Sequence, residues 1–224
     1  MCRLLGIQAA QPVDVVPWLE AFAVSCRASK EFQGHGWGVS WWTGDGWERY
    51  RSIRPIWEDT IEVPATSLAL VHARSAFRNE GIVVENNMPF LGGALAFAFN
   101  GELREVRLSV PGETGAARLF HLLDRFTRAA DGDVLAALSR LDQLIATRTD
   151  YVRALNVLVS DGRSIFVNTR YSEDPEYFTL HTASIPGSAR TTLISSEVIA
   201  TVDVCPEWDS LPNLTTRALV EMAC

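Results

Sequence analysis

The chain has 224 residues, of which 47% are hydrophobic and 21% are charged. This balance excludes a disordered or low-complexity protein and supplies enough apolar side chains for a globular core. Twenty basic residues against twenty-seven acidic ones give a net charge of −7, and no run of Lys or Arg is present, so a nucleic-acid partner is not expected.

The first half of the chain is predicted to contain short strands and one helix. Apolar residues recur every three or four positions from Val15 to Cys26, after Pro12, which is typical of a helix with one buried face. An Asp-Gly step at 45–46 between two strand-like runs predicts a hairpin turn. The predicted strands of this half are Arg3–Gln8, Trp37–Trp42, Trp47–Ser52, Ser67–Ala73 and Ala94–Asn100.

Two helices and then further strands are predicted for the second half. Leu, Ile and Phe residues fall on one face over Ala116–Ala130 and over Val134–Thr147. No repeat or linker divides the chain, so we expect one domain over residues 1–224, with two packed sheets and helices outside them. The predicted strands of this half are Ala154–Ser160, Ser164–Thr169, Phe178–Ala183, Thr191–Ser195 and Leu214–Leu219.

The cysteines and histidines do not form a metal-binding pattern. There are four of each, scattered, with no Cys-x-x-Cys and no His pair at ligand spacing, so neither a metal nor another cofactor is expected. No apolar run approaches the roughly 20 residues of a membrane helix, and the N-terminus lacks the pattern of a signal peptide. We therefore expect a cytoplasmic protein with free thiols rather than disulfides.

Cys2 is the first candidate for chemistry. Removal of Met1 before such a small residue would leave a thiol and a free α-amine on the same residue. The amine ordinarily titrates near ~7.7–8.0 and the thiol near ~8.5, so the amine can accept the thiol proton. Cys2 is thus a candidate nucleophile that carries its own base, the alternative being an arbitrary second residue.

Two further blocks could complete such a site. Arg74 follows a buried strand, where its planar guanidinium could bind a carboxylate, although a surface arginine paired with Glu80 or Glu85 is the alternative. Asn100 and Gly101 end an apolar strand, which fits a tight turn. It also fits an oxyanion hole, with the Asn amide and the Gly backbone N–H as donors.

Taken together, these blocks resemble the class II glutamine amidotransferases, and most closely a stand-alone amidohydrolase-like branch that includes the ergothioneine-pathway γ-glutamyl hydrolases. The resemblance implies an α+β fold, the four-layer αββα sandwich of the N-terminal-nucleophile hydrolases. It is carried by Met1-Cys-Arg-Leu-Leu-Gly6, Gly36-Trp-Gly38, His72-Ala-Arg-Ser-Ala76, Glu85-Asn-Asn-Met-Pro-Phe90, Phe97-Ala-Phe-Asn-Gly101 and Ile194-Ser-Ser-Glu197.

The resemblance also implies a reaction. Cys2 corresponds to the nucleophile, Arg74 to the residue that binds the α-carboxylate of glutamine, and Asn100 with Gly101 to the oxyanion hole. The Cys2 thiolate would attack a γ-glutamyl amide, release ammonia or an amine, and leave a thioester for water to hydrolyse. A synthase subunit that accepts the ammonia, and a homo-oligomer, are both compatible with this expectation.

Several positions depart from the family pattern. Gly115 stands where the family has an acid that pairs with the substrate α-ammonium, and Glu113 is the nearest acid to replace it. Met88 and Phe99 stand where the family has histidines. Three interpretations therefore stay open: a γ-glutamyl amidohydrolase or glutaminase, an amidohydrolase for a carboxylate-bearing acyl group without an α-amine, and a catalytically degenerate binding or regulatory subunit.

Overall fold

The computed structural model describes residues 1–60, 62–187 and 189–219. Its helices are α1 (Val16–Ala28), α2 (Gly115–Ala129), α3 (Val134–Arg148) and the short α4 (Pro175–Phe178). Its strands are β1 (Arg3–Val13), β2 (Trp37–Trp42), β3 (Trp47–Ser52), β4 (Thr66–Ala73), β5 (Phe90–Gly92), β6 (Leu95–Val106), β7 (Thr149–Ser160), β8 (Ile165–Thr169), β9 (His181–Ile185), β10 (Thr191–Ser195), β11 (Asp209–Ser210) and β12 (Thr215–Ala218).

The strands form two antiparallel sheets, one of seven strands in the order β11-β9-β10-β1-β4-β2-β3 and one of five in the order β12-β8-β7-β6-β5. Their inner faces pack against each other, and Gly6 on β1 lies against Leu158, Ile165 and Ile194. Helix α1 covers the outer face of the larger sheet, with Phe22 fully buried. These contacts set out the first three layers, from helix to sheet to sheet.

Helices α2 and α3 cover the outer face of the smaller sheet, where the Phe120 ring contacts those of Phe90 and Phe97. The order of layers is therefore helix, sheet, sheet, helix pair. This confirms the predicted α+β fold with an αββα sandwich. No helix within the described ranges is long and apolar enough to cross a membrane.

The start of the chain is held at the centre of the larger sheet, because β1 lies between β10 and β4. In the pairing of β1 with β4, Leu4 lies opposite His72 and Arg3 opposite Ala73, so the register continues to Cys2 opposite Arg74. Side chains alternate along a strand, and Leu4 packs between the sheets, so Cys2 and Arg74 lie on that same inner side.

Many predicted elements are confirmed within a few residues, but several predictions are wrong. Strand β1 runs to Val13 instead of ending at Gln8, so Pro12 lies in the strand and does not open the helix, which begins at Val16. Strand β7 begins at Thr149 rather than at Ala154. Strand β6 does not end at Asn100 and runs on to Val106, because β7 pairs with it along its whole length. The segment predicted to begin a strand at Phe178 is instead the end of α4, which Pro175 opens, and the strand follows at His181–Ile185.

The cysteines agree with the expectation as far as the structure describes them. Cys2, Cys26 and Cys205 are free thiols. Cys224 lies outside the described residues, so the expectation stays a prediction for that position.

Candidate active site

A cavity of about 990 Å³ opens beside the two residues that precede β1, the end of β4, the middle of β6 and the start of α2. Cys2, Arg74 and Gly101, three of the five residues singled out from the sequence, line this one cavity. Asn100 is fully buried next to Gly101, whereas Glu113 is exposed and is not part of the lining. The volume is in the range of small-molecule sites, roughly 300–1,000 Å³.

The N-terminus is anchored in the wall of this cavity by contacts from distant parts of the chain. The Met1 ammonium forms an ion pair with the Glu31 carboxylate. The Met1 carbonyl accepts hydrogen bonds from Gln33 Nε2 at 2.7 Å and from the Tyr177 hydroxyl at 2.6 Å. These contacts fix the position of the next residue, Cys2.

The Cys2 thiol lies against the loop that follows β4, with Sγ 3.8 Å from the Ser75 carbonyl oxygen. Burial raises the pKa of this thiol, and the Met1 ammonium, the Ser75 contact and Arg74 oppose that rise in part. The thiol is therefore neutral at physiological pH, and a base must take its proton before the sulfur can attack.

Arg74 is 9% exposed, so its guanidinium is turned into the protein rather than to solvent. Its Nη1 donates to the Gly81 carbonyl at 2.8 Å and to Asn87 Oδ1 at 3.3 Å, and Nη2 donates to the Glu80 carbonyl at 3.5 Å. A guanidinium has five N–H donors, so donors remain for a carboxylate in the cavity.

Glycine at position 36 permits this arrangement. Gly36 has a φ of +108°, and a Cβ there would lie 2.2 Å from Asn87 Nδ2. Any side chain would therefore displace the amide that supports Arg74. On the other side of the Arg74 backbone, His35 Nδ1 accepts a hydrogen bond from Ala76 N at 2.9 Å and fixes the loop after β4.

Asn100 is a buried amide without a partner. It is 0% exposed, and neither Nδ2 nor Oδ1 has a hydrogen-bond partner among the described residues. Leaving a buried polar group unpaired costs about 1–3 kcal/mol. The Asn100 side chain is thus buried beside Gly101 with its hydrogen-bonding groups unused by the described residues.

The tight-turn interpretation of Asn100 and Gly101 is wrong, because β6 continues through both residues and has its irregularity only between Glu102 and Leu103. Glycine is required at 101 for a different reason. A Cβ there would lie 2.0 Å from the Ala154 carbonyl oxygen of β7. The close approach of two backbones, rather than a turn, excludes a side chain at this position.

The acid expected at the start of α2 has no equivalent there. Gly115, at the expected position, lines the cavity, and a Cβ built on it meets nothing within 4 Å. Glu113 lies outside the lining, so the structure does not bring it to Cys2 or Arg74. The acids that do line the cavity are Glu31 and Glu102.

His72 is a second buried polar side chain without a partner. It lines the cavity, is 0% exposed, and neither ring nitrogen has a hydrogen-bond partner in the part of the chain that the structure describes. Burial, reinforced by Arg74 and the Met1 ammonium, lowers the pKa of His72 to about 3. The ring is therefore neutral at physiological pH and adds no charge beside Arg74.

This low pKa predicts a pH dependence of stability. An unfolded chain binds the His72 proton below about pH 6.5, whereas the folded protein binds it only near pH 3, so acid favours unfolding between these values. The contribution is about 1.4 kcal/mol per pH unit in that window. We expect His72→Leu to reduce by this amount the slope of unfolding free energy against pH, measured in urea.

His121→Leu is the matched control, because His121 is exposed on α2. It should leave the slope close to that of the wild type. Equal slopes for the wild type and His72→Leu would show that the buried ring does not titrate as described.

The site could not have been assembled from the sequence alone. Glu31, Gln33 and Tyr177 are in no motif of the chain, and Tyr177 reaches the N-terminus across 176 positions. Among the described residues, no group of three or more His, Cys, Asp and Glu side chains is placed to hold a metal ion.

Comparisons with known proteins bear on this geometry. The sequence model of the family described as class-II glutamine amidotransferases matches residues 1–183. The comparison with curated proteins returned no match.

Three solved structures are similar in fold. Glutamine phosphoribosylpyrophosphate amidotransferase from B. subtilis is 17% identical with a TM-score of 0.58, and the match covers 95% of this chain and 50% of that one. A glutamine aminotransferase class-II domain protein from Silicibacter pomeroyi is 18% identical with a TM-score of 0.60, over 95% and 91% of the two chains. A predicted glutamine amidotransferase from Pseudomonas aeruginosa is 19% identical with a TM-score of 0.57, over 95% and 94%.

The chain thus spans half the length of the B. subtilis enzyme and nearly the full length of the other two. At this level of identity the three structures show the fold alone. The family model, in contrast, covers most of the chain, including every residue that lines the cavity. This protein belongs to the class II glutamine amidotransferases.

Proposed function

We propose that the protein hydrolyses the γ-amide of glutamine or of a γ-glutamyl amide, with Cys2 as the nucleophile after removal of Met1. One observation carries the proposal: the Cys2 thiol, the inward-facing Arg74 and Gly101 line one cavity. The unpartnered amide of Asn100, buried beside Gly101, supports it further.

In the proposed mechanism, Arg74 binds the substrate α-carboxylate and positions the amide near Cys2. The free α-amine of Cys2 takes the thiol proton, and the sulfur attacks the amide carbon. The resulting oxyanion is held by the Asn100 amide and the Gly101 N–H. The protonated amine then gives its proton to the leaving nitrogen, the C–N bond breaks, and a thioester remains. Water, deprotonated by the same amine, hydrolyses the thioester and restores the thiol.

Asn100→Leu is expected to separate activity from stability. The leucine removes an unpaired buried amide at similar volume, so the free energy of unfolding should rise by about 1 kcal/mol. Loss of one oxyanion donor should lower kcat for glutamine by about 10²–10³-fold. Urea unfolding and ammonia release measure the two effects on the same preparation.

Asn156→Leu is the matched control. Asn156 lies opposite Asn100 on β7, and its Oδ1 also has no partner among the described residues, but its Nδ2 donates to the Phe178 carbonyl at 2.7 Å. This variant should therefore lose stability. If Asn100→Leu lost as much stability as Asn156→Leu, Asn100 would have a structural role and the proposed oxyanion hole would lose its main support.

A second candidate is an amidohydrolase for a carboxylate-bearing acyl group without an α-amine. The absence of an acid at Gly115 favours it. So does the surplus of positive charge in the lining, where Glu31 and Glu102 face five arginines, Arg74, Arg78, Arg104, Arg118 and Arg153. Such a cavity attracts an anionic substrate.

Ammonia release from two amides tests the proposal against this alternative. One amide is glutamine, and the other is glutaramate, which has the same carbon chain and carboxylate but no α-amine. We expect the protein that begins at Cys2 to hydrolyse glutamine faster, with Arg74→Gln raising KM for both amides because it removes the guanidinium that binds the carboxylate. Preference for glutaramate would favour the second candidate.

Hydrolysis of neither amide, together with no labelling of Cys2 by a small uncharged electrophile, would contradict both candidates and point to a binding or regulatory subunit.

The proposal extends to a separate synthase that accepts the ammonia. Addition of such a partner should raise the rate of glutamine hydrolysis without changing the Cys2 requirement.

A further inference from the structure

The Met1 ammonium lies in a polar subsite that the protein has already built. Its counter-charge is the Glu31 carboxylate, which lines the cavity together with Cys2 and Arg74. Gln33 and Tyr177 donate to the carbonyl of the same methionine, and both are at least nine-tenths buried. Cys2 can act as the proposed nucleophile only after Met1 is removed. A carboxylate that bound nothing but the Met1 ammonium would then lose its partner.

The subsite offers acceptors that match the donors of an ammonium group. The Tyr177 hydroxyl can accept as well as donate, and the Gln33 amide oxygen is buried with no hydrogen-bond partner among the described residues. The Glu31 carboxylate is the one of these three groups that lines the cavity, and together their oxygens match in number the three N–H donors of a primary ammonium.

Among the described residues, one cation besides the Met1 ammonium pairs with Glu31, and that ion pair is long. Arg153 approaches it only to 4.0 Å, because that guanidinium binds Asp174 at 2.6 Å and Glu102 at 3.3 Å. Once Met1 is removed, Glu31 therefore keeps a charge that a substrate cation can pair with.

Glu31 and Arg74 both act electrostatically on the Cys2 sulfur, Glu31 raising the pKa of the thiol and Arg74 lowering it. The nucleophile, the carboxylate and the guanidinium thus line the same cavity. The α-carbon of an amino acid carries the two complementary charges, an ammonium and a carboxylate. In a γ-glutamyl amide, both are within about 5 Å of the amide carbon in an extended chain.

We propose that Glu31 binds the α-ammonium of the substrate in the protein that begins at Cys2, in place of the acid missing at Gly115. This inference rests on the proposed function and makes it more specific, because it assigns the site to γ-amides of α-amino acids. It also gives removal of Met1 a second consequence. While Met1 is present, its ammonium occupies the subsite, and its peptide bond turns the α-amine of Cys2 into an amide that cannot act as a base.

Calorimetric binding to the Cys2→Ala protein tests the inference without turnover. We expect Glu31→Gln in this background to weaken glutamine binding at least tenfold and to change glutaramate binding less than twofold. Adding Gly115→Asp to Glu31→Gln should restore glutamine binding in part, because the space beside Gly115 is open. Glu20→Gln, an exposed acid on α1, is the matched control and should change neither affinity.

Three results would overturn the inference: equal weakening for both ligands, no weakening for glutamine, or no glutamine binding at all to the Cys2→Ala protein. If Glu113→Gln instead weakened the binding of glutamine and not that of glutaramate, Glu113 rather than Glu31 would bind the α-ammonium, as the sequence predicts. Glutamine binding that depends on Glu31, together with a Cys2 protein that hydrolyses no amide, would overturn the proposed function and leave this inference intact.

A second measurement separates substrate binding from an effect on the nucleophile. Glu31 could instead pair with the α-amine of Cys2 and raise its pKa. In that case Glu31→Gln would move the acidic limb of the kcat/KM profile for glutaramate to lower pH. We expect this limb to stay in place, and a clear shift would overturn the assignment to the substrate.

Discussion

Cys2→Ala is expected to lower the rate of ammonia release from glutamine by at least about 10³-fold, because no other cysteine of the described residues lines the cavity. Cys26 is buried in the layer between α1 and the larger sheet, and Cys205 is exposed and outside the cavity lining. The fold should persist, since the cavity wall loses only one sulfur atom. Ammonia release and circular dichroism measure the two effects.

Cys205→Ala is the matched control, because it removes an exposed thiol without touching the cavity. It should keep the activity of the wild type. Substantial ammonia release by Cys2→Ala would show that the nucleophile lies elsewhere, and the mechanism would have to be abandoned.

Gly101→Ala is expected to destabilise the protein by about 3 kcal/mol or more. The added methyl group would lie 2.0 Å from the Ala154 carbonyl oxygen and 2.8 Å from the Phe99 ring. The first neighbour is backbone in the middle of the β6–β7 pairing, so relief requires the two strands to separate. The same movement would displace the Gly101 N–H from the oxyanion. We therefore expect a loss of both stability, measured in urea, and kcat.

Gly46→Ala provides the comparison, because a Cβ at Gly46 meets nothing within 4 Å. It should change the free energy of unfolding by less than about 1 kcal/mol. A Gly101→Ala protein as stable as Gly46→Ala would show that β6 and β7 do not approach as closely as described.

The elements with strong periodicity were predictable from the sequence. The hairpin strands β2 and β3 have the predicted bounds, since an Asp-Gly turn between two strand-like runs fixes both ends. Helix α2 begins one residue before the prediction, where the Thr114 side chain caps the helix by accepting from Ala117 N. In these elements, the local sequence signals and the tertiary packing favour the same secondary structure.

The failures occur where tertiary pairing decides the structure. Residues 102–106 are mostly charged and partly exposed, so no apolar pattern marks them, yet they extend β6 because β7 pairs with them. Around Phe178, an apolar run resembled a strand, but the preceding Pro175 opens a helical turn. Propensity and pattern are weak predictors when a neighbouring strand supplies the hydrogen bonds.

The candidate site was predictable only in part. Cys2, Arg74 and Gly101 were singled out by residue type and by resemblance, but their shared cavity depends on the pairing of β1 with β4. Glu113 was chosen for its nearness in sequence to Gly115, whereas the structure brings Glu31, from the loop after α1, to the cavity instead. Closeness along the chain does not predict which carboxylate reaches a cavity.

The most direct measurement is the intact mass of the purified protein, before and after reaction with a chloroketone analogue of glutamine. We predict a chain that begins at Cys2 and gains one adduct, located on residue 2 by peptide mapping, with glutamine protecting against the reaction. A mass that retains Met1, or a folded protein that forms no adduct at Cys2, would contradict the account of an N-terminal cysteine nucleophile.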